Sequence, residues 1–326
     1  MTSWASRFFG TIVLLSALSC SSGGARAQHS ASSATVLPSQ PSLVPSAATP
    51  PATTANPFEF DPAFFKAKGP HQPGDWLSEH HEHGQTFLEF QRSSTLRPSA
   101  ERRTIVLQPL GELTDEQRAL LSTLQRASGL FFGLPVEIAE PQPIPSAGRR
   151  VRQRRAGPTA QYLTRTILDS LAKHTPERAV AYLGVTFQDL YPEASWNFVF
   201  GEAELSARVG VYSLLRFTPQ FNHEPNDASA RRRLLRRAIQ LLAHETGHIF
   251  GLEHDTAFEC VMNGTNSLEE SDQLPIEPCQ VCLHKLAFAL RIQPLPRYRE
   301  LGQFYEELGL VDDARWLRAR YASLAP

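Results

Sequence analysis

One short stretch carries the side chains whose types and spacing could do chemistry: HETGHIFGLEHD, residues 244–255. His244 and His248 are four positions apart, so on a helix they lie on one face, one turn apart. Both imidazoles could then bind one metal ion at about 2.0–2.1 Å. Gly251 can adopt the left-handed conformation that ends a helix, and the returning chain would bring in His254 as a third ligand. The spacing therefore predicts a three-histidine zinc site.

Glu245 is the second reactive group in this stretch. It is offset around the helix from both histidines, so it is placed to reach a water on the ion rather than the ion itself. Three histidines leave a fourth tetrahedral position open for that water, which is typical of catalytic zinc. We predict that Glu245 takes the proton of this water and so activates it as a nucleophile.

Three cysteines follow the histidines, at Cys260, Cys279 and Cys282, and a fourth, Cys20, lies near the N-terminus. Three cysteines cannot all pair within one chain, and a disulfide-stapled scaffold would need more. The sequence therefore favours metal binding over disulfides for this group.

The N-terminus has the pattern of an export signal. Arg7 supplies a positive charge, residues 8–19 form a short apolar run, and ARA at 25–27 fits a cleavage site. The run is too short to span a bilayer, so no membrane span is predicted. We expect a periplasmic or secreted protein without its first 27 residues. The alternative is a lipoprotein anchored at Cys20, although ALSC (17–20) is a poor lipoprotein box.

The rest of the composition is that of an ordinary soluble protein. The formal net charge is −1 over 326 residues, which gives no electrostatic argument for nucleic acid or an anionic membrane. Five arginines at 148–158 lie in a Gly- and Pro-bounded stretch typical of a solvated loop. Residues 28–57 are rich in Ser, Ala, Thr and Pro and read as a flexible linker, so we place one domain at 58–326.

The elements that must position these groups follow an α/β pattern. We predict strands at 104–111, 134–141, 179–191, 195–205 and 208–217, and helices at 114–133 and 161–175. This alternation indicates a mixed, mostly parallel sheet. A helix at about 228–250 would carry the histidines, a cysteine-containing segment would occupy 255–282, and a helical hairpin 295–324.

The pattern HExxHxxGxxH followed by Met262 resembles the signature of the metzincin zinc peptidases. Residues 243–286 are most similar to the archaemetzincins, through CVM at 260–262, CQVC at 279–282 and LHKL at 283–286. Segments at 73–87, 102–111, 130–136 and 191–213 also resemble that family.

This resemblance implies a metzincin-like zincin domain with an active-site helix and a C-terminal helical subdomain. It also implies a zinc peptidase acting on peptide or protein substrates, with a second, structural zinc. Met262 would form a hydrophobic floor under the histidines, and NFVFGEA (197–203) would pair with an extended substrate.

Asp255 departs from the family, because archaemetzincins place a cysteine directly after the third histidine. It could complete a structural zinc site with Cys260, Cys279 and Cys282, since carboxylate oxygens also bind zinc. It could instead hydrogen-bond the backbone, as in the adamalysins, with Cys279 and Cys282 oxidised. A third interpretation is a solvated loop carboxylate. The adamalysins, which carry this aspartate, are the alternative family.

Three further interpretations complete the sequence-based picture. The alternative function is a zinc-stabilised peptide-binding protein with weak or no activity, which the intact Glu245 argues against. HHEHG (80–84) lacks helical ligand spacing and is interpreted as a structural segment. Tyr191, Trp196 and Tyr212 are interpreted as core or cleft-wall residues rather than catalysts.

Overall fold

The structure is a computed structural model that describes residues 56–93, 96–146, 151–153 and 160–325. The predicted signal peptide, Cys20, nearly all of the predicted linker and most of the arginine-rich stretch lie outside these residues. Within the described part of the chain, no helix is long and apolar enough to cross a membrane.

The described residues form helices and strands in the following chain order. They are α1 (Trp76–Glu79), α2 (Phe87–Arg92), β1 (Thr104–Leu110), α3 (Asp115–Phe132), β2 (Val136–Ile138), β3 (Val151–Gln153), β4 (Ala160–Leu163), α4 (Thr164–Lys173), β5 (Ala179–Thr186), β6 (Asp189–Tyr191), β7 (Gly201–Glu204), β8 (Val209–Ser213), α5 (Ala228–Ile249), α6 (Leu268–Asp272), α7 (Gln280–Leu290), α8 (Pro294–Glu307) and α9 (Val311–Leu324).

A five-stranded sheet, in the order β2-β1-β5-β8-β7, forms the centre of the fold. Neighbouring strands are parallel except for β7, which runs antiparallel to β8 at one edge. Every residue of β1 and β5 is buried, as expected for parallel strands covered on both faces. The predicted α/β class with a mixed, mostly parallel sheet is therefore confirmed.

Helices cover the two faces of this sheet, and alternate residues of β1 contact different helices. Ile105 and Leu107 belong to a large apolar core that includes residues of α3 and α5. Val106 and Leu110 belong to a smaller core with residues of α4. The helix that carries the histidines, α5, thus packs against the sheet beside its antiparallel edge.

Two predicted elements are each divided in the structure. Residues 160–163 form strand β4 before α4 begins, and the apolar run predicted as one strand at 179–191 is divided into β5 and β6. The cause is a second sheet, β3-β4-β6, in which β4 pairs with β6. Its register places Gln161 beside the buried Asp189, and the Gln161 amide donates a hydrogen bond of 2.9 Å to that carboxylate. This long-range pairing overrides the local helical pattern.

The predicted C-terminal helical hairpin is confirmed as α8 and α9, which pack against each other, and α8 also contacts α3. Just before this hairpin, α7 begins with Cys279 as its N-cap residue. The cysteine-containing segment therefore connects the active-site helix to the C-terminal helices.

Candidate metal centre

The helix α5 presents the first two histidines as the sequence predicts. Asp227 caps its start by accepting a hydrogen bond of 2.8 Å from the Ala230 N–H. The helix ends at Ile249, and Gly251 follows with a left-handed φ of 87°. The Gly251 N–H donates to the His248 carbonyl at 2.9 Å, so the chain turns back immediately.

This turn brings the three predicted histidines together. The Nε2 atoms of His244 and His248 lie 3.0 Å apart. One ring nitrogen from each of His244, His248 and His254 lies within 4.8 Å of the others. Nitrogens that share a zinc ion at about 2.0–2.1 Å would have similar separations.

The opposite ring nitrogens are all engaged in hydrogen bonds. Nδ1 of His244 donates to the Val261 carbonyl at 2.8 Å, and Nδ1 of His248 donates to the Leu252 carbonyl at 2.7 Å. A neutral imidazole that donates through Nδ1 presents the lone pair of Nε2 to a metal. Nε2 of His254 is buried and has no hydrogen-bond partner among the described residues. This donor set fits a zinc ion.

The surroundings keep the imidazoles of His244 and His248 in the neutral form that binds metal. Burial, together with the neighbouring His248 and His254, holds the pKa of His244 well below its ordinary value. Burial and His254 lower the pKa of His248 to about 3. Both rings are therefore unprotonated near neutral pH.

Glu245 lies beside this cluster, fully buried. Neither carboxylate oxygen has a hydrogen-bond partner among the described residues, and burial, with the nearby Glu202, raises the pKa of Glu245 well above its ordinary value. A Cβ atom at Gly201 on β7 would lie only 2.6 Å from Oε1 of Glu245. The sheet edge therefore approaches this carboxylate so closely that a side chain at position 201 would require Glu245 or the strand to move.

A second group of potential ligands is formed by Asp255, Cys260, Cys279 and Cys282, with one ligand atom from each within 4.8 Å of the others. Their exposed fractions are 6%, 0%, 1% and 0%, and all three cysteines are free thiols. The burial of Asp255 excludes the interpretation as a solvated loop carboxylate. The cysteines are not oxidised to a disulfide here.

The two oxygens of Asp255 have different partners. Oδ1 accepts hydrogen bonds from the N–H groups of Ala257 and Phe258, at 2.9 and 2.8 Å. Oδ2 lies 2.9 Å from the Cys279 sulfur and 3.4 Å from that of Cys282. The backbone role and the metal-facing role that the sequence left as alternatives are thus compatible in one side chain.

The thiols of this group form hydrogen bonds with one another, and these bonds affect their pKa values. Burial raises the pKa of Cys279 well above its ordinary value. Burial opposes ionisation of Cys260 too, but hydrogen bonds from Cys279 and Cys282 outweigh it and lower the pKa of Cys260 to about 5. The donor set is three sulfurs and one carboxylate oxygen, all buried, and it fits a structural zinc ion. Zinc binding would displace the protons of the thiols.

Met262 and Tyr212 also have clear positions. A Cβ atom at Gly247 would lie 2.5 Å from the Met262 sulfur, so the methionine packs against the helix between the two histidines. Tyr212 is completely buried on β8, in agreement with its interpretation as a core residue.

The HHEHG segment contributes a contact that the sequence analysis missed. His81 and His83 are exposed, but Glu82 accepts a hydrogen bond from Nδ1 of His254, at 3.0 Å to Oε1 and 2.9 Å to Oε2. Burial opposes ionisation of Glu82, yet the hydrogen bond from His254 holds its pKa below the ordinary value. No local spacing signals this contact, because 172 residues separate its partners. The close approach of Gly201 to Glu245 was missed for the same reason.

Comparisons with known proteins identify similar chains. The profile of peptidase family M54 matches residues 160–287. Human archaemetzincin-2 is 33% identical over 264 residues, which cover 73% of this chain and 73% of that protein. The archaemetzincin of Pyrococcus furiosus is 36% identical over 186 residues, or 57% of this chain and 93% of that protein. A solved archaemetzincin structure from Archaeoglobus fulgidus is 28% identical, with a TM-score of 0.43 over 56% of this chain and 99% of that one.

Proposed function

Because the chain belongs to the archaemetzincin family and is a zinc metallopeptidase, we propose that His244, His248 and His254 hold its catalytic zinc and that Glu245 is the general base. The observation that carries this assignment is the convergence of three imidazoles beside a buried carboxylate that has no hydrogen-bond partner among the described residues. Membership of this family replaces the adamalysin alternative.

Zinc held by these histidines would supply a Lewis acid that polarises the scissile carbonyl and acidifies an attacking water. Glu245 accepts the proton of that water and then donates it to the leaving amine. The Nδ1 hydrogen bonds of His244 and His248 keep Nε2 of each ring directed at the metal.

The substrate binds as an extended strand along β7, next to Glu245. The Phe200 carbonyl accepts a hydrogen bond from Ser213 in β8, so alternation along an antiparallel strand directs the backbone groups of Gly201 and Ala203 away from β8. Only the end of the predicted binding segment 197–203 is available to a substrate. The start of the segment is hydrogen-bonded to the second sheet, because the Val199 N–H donates to the Leu190 carbonyl and the Asn197 carbonyl accepts from Gln161.

We assign the second zinc to Asp255, Cys260, Cys279 and Cys282, with Asp255 binding through Oδ2. An ion held there would have a structural role, because all four potential ligands are buried. These residues would join the loop after the third histidine to the start of α7.

The test is cleavage of a mixed peptide library by the purified protein, with and without a zinc chelator. We expect turnover that the chelator abolishes and added zinc restores. Zinc-dependent folding without turnover would favour the alternative function, a zinc-stabilised peptide-binding protein.

Export is a separate part of the proposal and is supported by the N-terminal sequence alone. The mature protein begins at Gln28 after removal of residues 1–27, and it works in the periplasm or outside the cell. Mass spectrometry of the N-terminus distinguishes this from the alternative, a chain that begins at a lipidated Cys20.

A further inference from the structure

An N-terminal strap, residues 74–86, lies across the loops that surround the histidines and precedes the part of the chain that matches family M54. Its Trp76 is buried and lies edge-on to His254, with ring centroids 5.2 Å apart at 85°. A Cβ atom at Gly264 would lie 2.5 Å from the Trp76 ring, so this ring packs directly on the backbone beyond Met262. The strap therefore contacts both the third histidine and the loop that follows it.

The third histidine differs from the other two in what orients it. His244 and His248 each donate to a backbone carbonyl from their own region of the chain, at Val261 and Leu252. His254 instead donates to the Glu82 carboxylate, which belongs to the strap. A charged acceptor makes a stronger hydrogen bond than a carbonyl, and it raises the basicity of the opposite ring nitrogen.

We infer that Glu82 is a positioning residue that orients His254 for zinc, so that the strap completes the metal site. The inference rests on the proposed role of His254 as a zinc ligand. His254 lies in a loop beyond the end of α5, so the helix that fixes the other two rings does not fix this one. The Glu82 hydrogen bond to Nδ1 selects the tautomer whose Nε2 faces His244 and His248.

The strap itself is held at both of its ends. The backbone N–H of Trp76 donates to the Glu270 carboxylate, at 3.1 and 3.2 Å to its two oxygens. At the other end, the Gln85 amide donates to the Gly251 carbonyl at 3.2 Å. The Gln85 carbonyl accepts a hydrogen bond from the buried ammonium of Lys285 on α7. Glu82 is therefore presented by a fixed segment, as a positioning residue requires.

The experiment measures zinc affinity at the histidines in Glu82→Ala, Glu82→Gln and, as a matched control, Glu79→Ala. Glu79 lies in the same strap but is exposed to solvent. Zinc dissociation constants come from competition with a chromophoric chelator. We expect Glu82→Ala to bind zinc about 10- to 100-fold more weakly at the histidines. Glu82→Gln, whose amide is a neutral acceptor, should show a smaller loss, and Glu79→Ala should match the wild type.

Cobalt substitution separates this effect from misfolding. Thiolate-to-cobalt absorption in the near ultraviolet reports the group of Asp255, Cys260, Cys279 and Cys282, whereas the visible bands also report the histidines. We expect Glu82→Gln to keep the thiolate absorption and to change only the visible bands. If Glu82→Ala and Glu82→Gln both bind zinc at the histidines as tightly as Glu79→Ala, with all three folded, the inference is overturned. No zinc at the histidines of the wild type would instead overturn the proposed function, and neither result depends on turnover.

Discussion

The two groups of metal ligands lie along the same stretch of chain, yet their surroundings differ. Beside the three histidines, Glu245 is buried without a hydrogen-bond partner among the described residues, and the edge strand β7 passes close to it. Around Asp255 and the cysteines, polar groups are paired: the Cys279 N–H donates to the Cys260 sulfur at 3.1 Å, and the Cys282 N–H donates to the Cys279 sulfur at 3.4 Å. This difference is consistent with the proposed catalytic role of the first group and structural role of the second.

This difference shows how one short segment of the chain can supply both a catalytic and a structural metal site. A catalytic zinc needs three ligands and a base beside an open position, whereas a structural zinc needs four ligands and no access. Asp255 directly follows His254, so the chain passes from one metal site to the other within a single peptide bond. Substitutions in the two groups should therefore separate turnover from stability.

The largest effect on turnover is expected for Glu245→Gln. It removes the general base, so kcat should fall by about 10²- to 10⁴-fold. Zinc content should stay unchanged, because Glu245 is not among the ligand groups. The thermal midpoint should not fall, since the change removes a buried carboxyl group that has no partner among the described residues. Peptide cleavage, metal analysis and thermal unfolding check the three parts, and wild-type turnover would refute the assignment of the base.

Cys279→Ser should give the opposite pattern. It removes one ligand of the structural zinc and the sulfur that accepts the Cys282 N–H at the start of α7. With zinc present, the free energy of unfolding should fall, because the binding energy of a structural zinc contributes to folding. Denaturant unfolding with and without zinc measures this. We expect a smaller gain in stability on adding zinc than in the wild type, with the zinc at the histidines retained; an unchanged gain contradicts the structural role.

Gly201→Ala tests the catalytic side of the comparison with a single methyl group. The added Cβ would lie 2.6 Å from Oε1 of Glu245, so the carboxylate or the strand must move. A displacement of about 1 Å can reduce turnover by up to about 10²-fold, so we expect a loss of that order or less. Zinc content should not change. Wild-type turnover of Gly201→Ala would show that β7 does not confine Glu245.

Local patterns in the sequence predicted the groups that one helix and one turn position. The four-residue spacing placed His244 and His248 on one face of a helix, and Gly251 predicted the turn that brings His254 to within 4.8 Å of them. The alternation of strands and helices likewise predicted the mostly parallel sheet. These features are visible in local periodicity, although the sheet itself pairs strands far apart in the chain, such as β1 with β5.

Long-range pairing could not be predicted in this way. The contact between Glu82 and His254 joins segments 172 residues apart, and the pairing of β4 with β6 divided two elements that looked continuous. The two-sided role of Asp255 also depends on where the cysteines lie in space, so the sequence left its alternatives open. Burial and distance, which decide these cases, are properties of the assembled fold.

The smallest effects are expected for substitutions of Asp255, because this residue contacts both the backbone and the thiols. Asp255→Asn keeps an acceptor for the N–H groups of Ala257 and Phe258 but removes the charge that faces the thiols. We expect unchanged stability without zinc and weaker binding of the structural zinc. Asp255→Cys supplies a fourth sulfur but loses both backbone hydrogen bonds, at a net cost of about 1 kcal/mol each. The zinc-free protein should therefore unfold more easily while the zinc binds more tightly.

Asp255→Cys is expected to lower the stability of the zinc-free protein and to raise its zinc affinity. Together with Asp255→Asn, it distinguishes a zinc ligand from a residue that only hydrogen-bonds the backbone. If Asp255 only supports the backbone, the asparagine variant keeps full zinc affinity, because its amide oxygen can accept the same two hydrogen bonds. If Oδ2 binds the ion, affinity falls in the asparagine variant and rises in the cysteine variant, since thiolate is the more common ligand of structural zinc. Zinc competition and denaturant unfolding on the two variants, each with and without metal, separate these outcomes. Equal zinc affinity of Asp255→Asn and the wild type would leave only three cysteine ligands and remove Asp255 from the metal site.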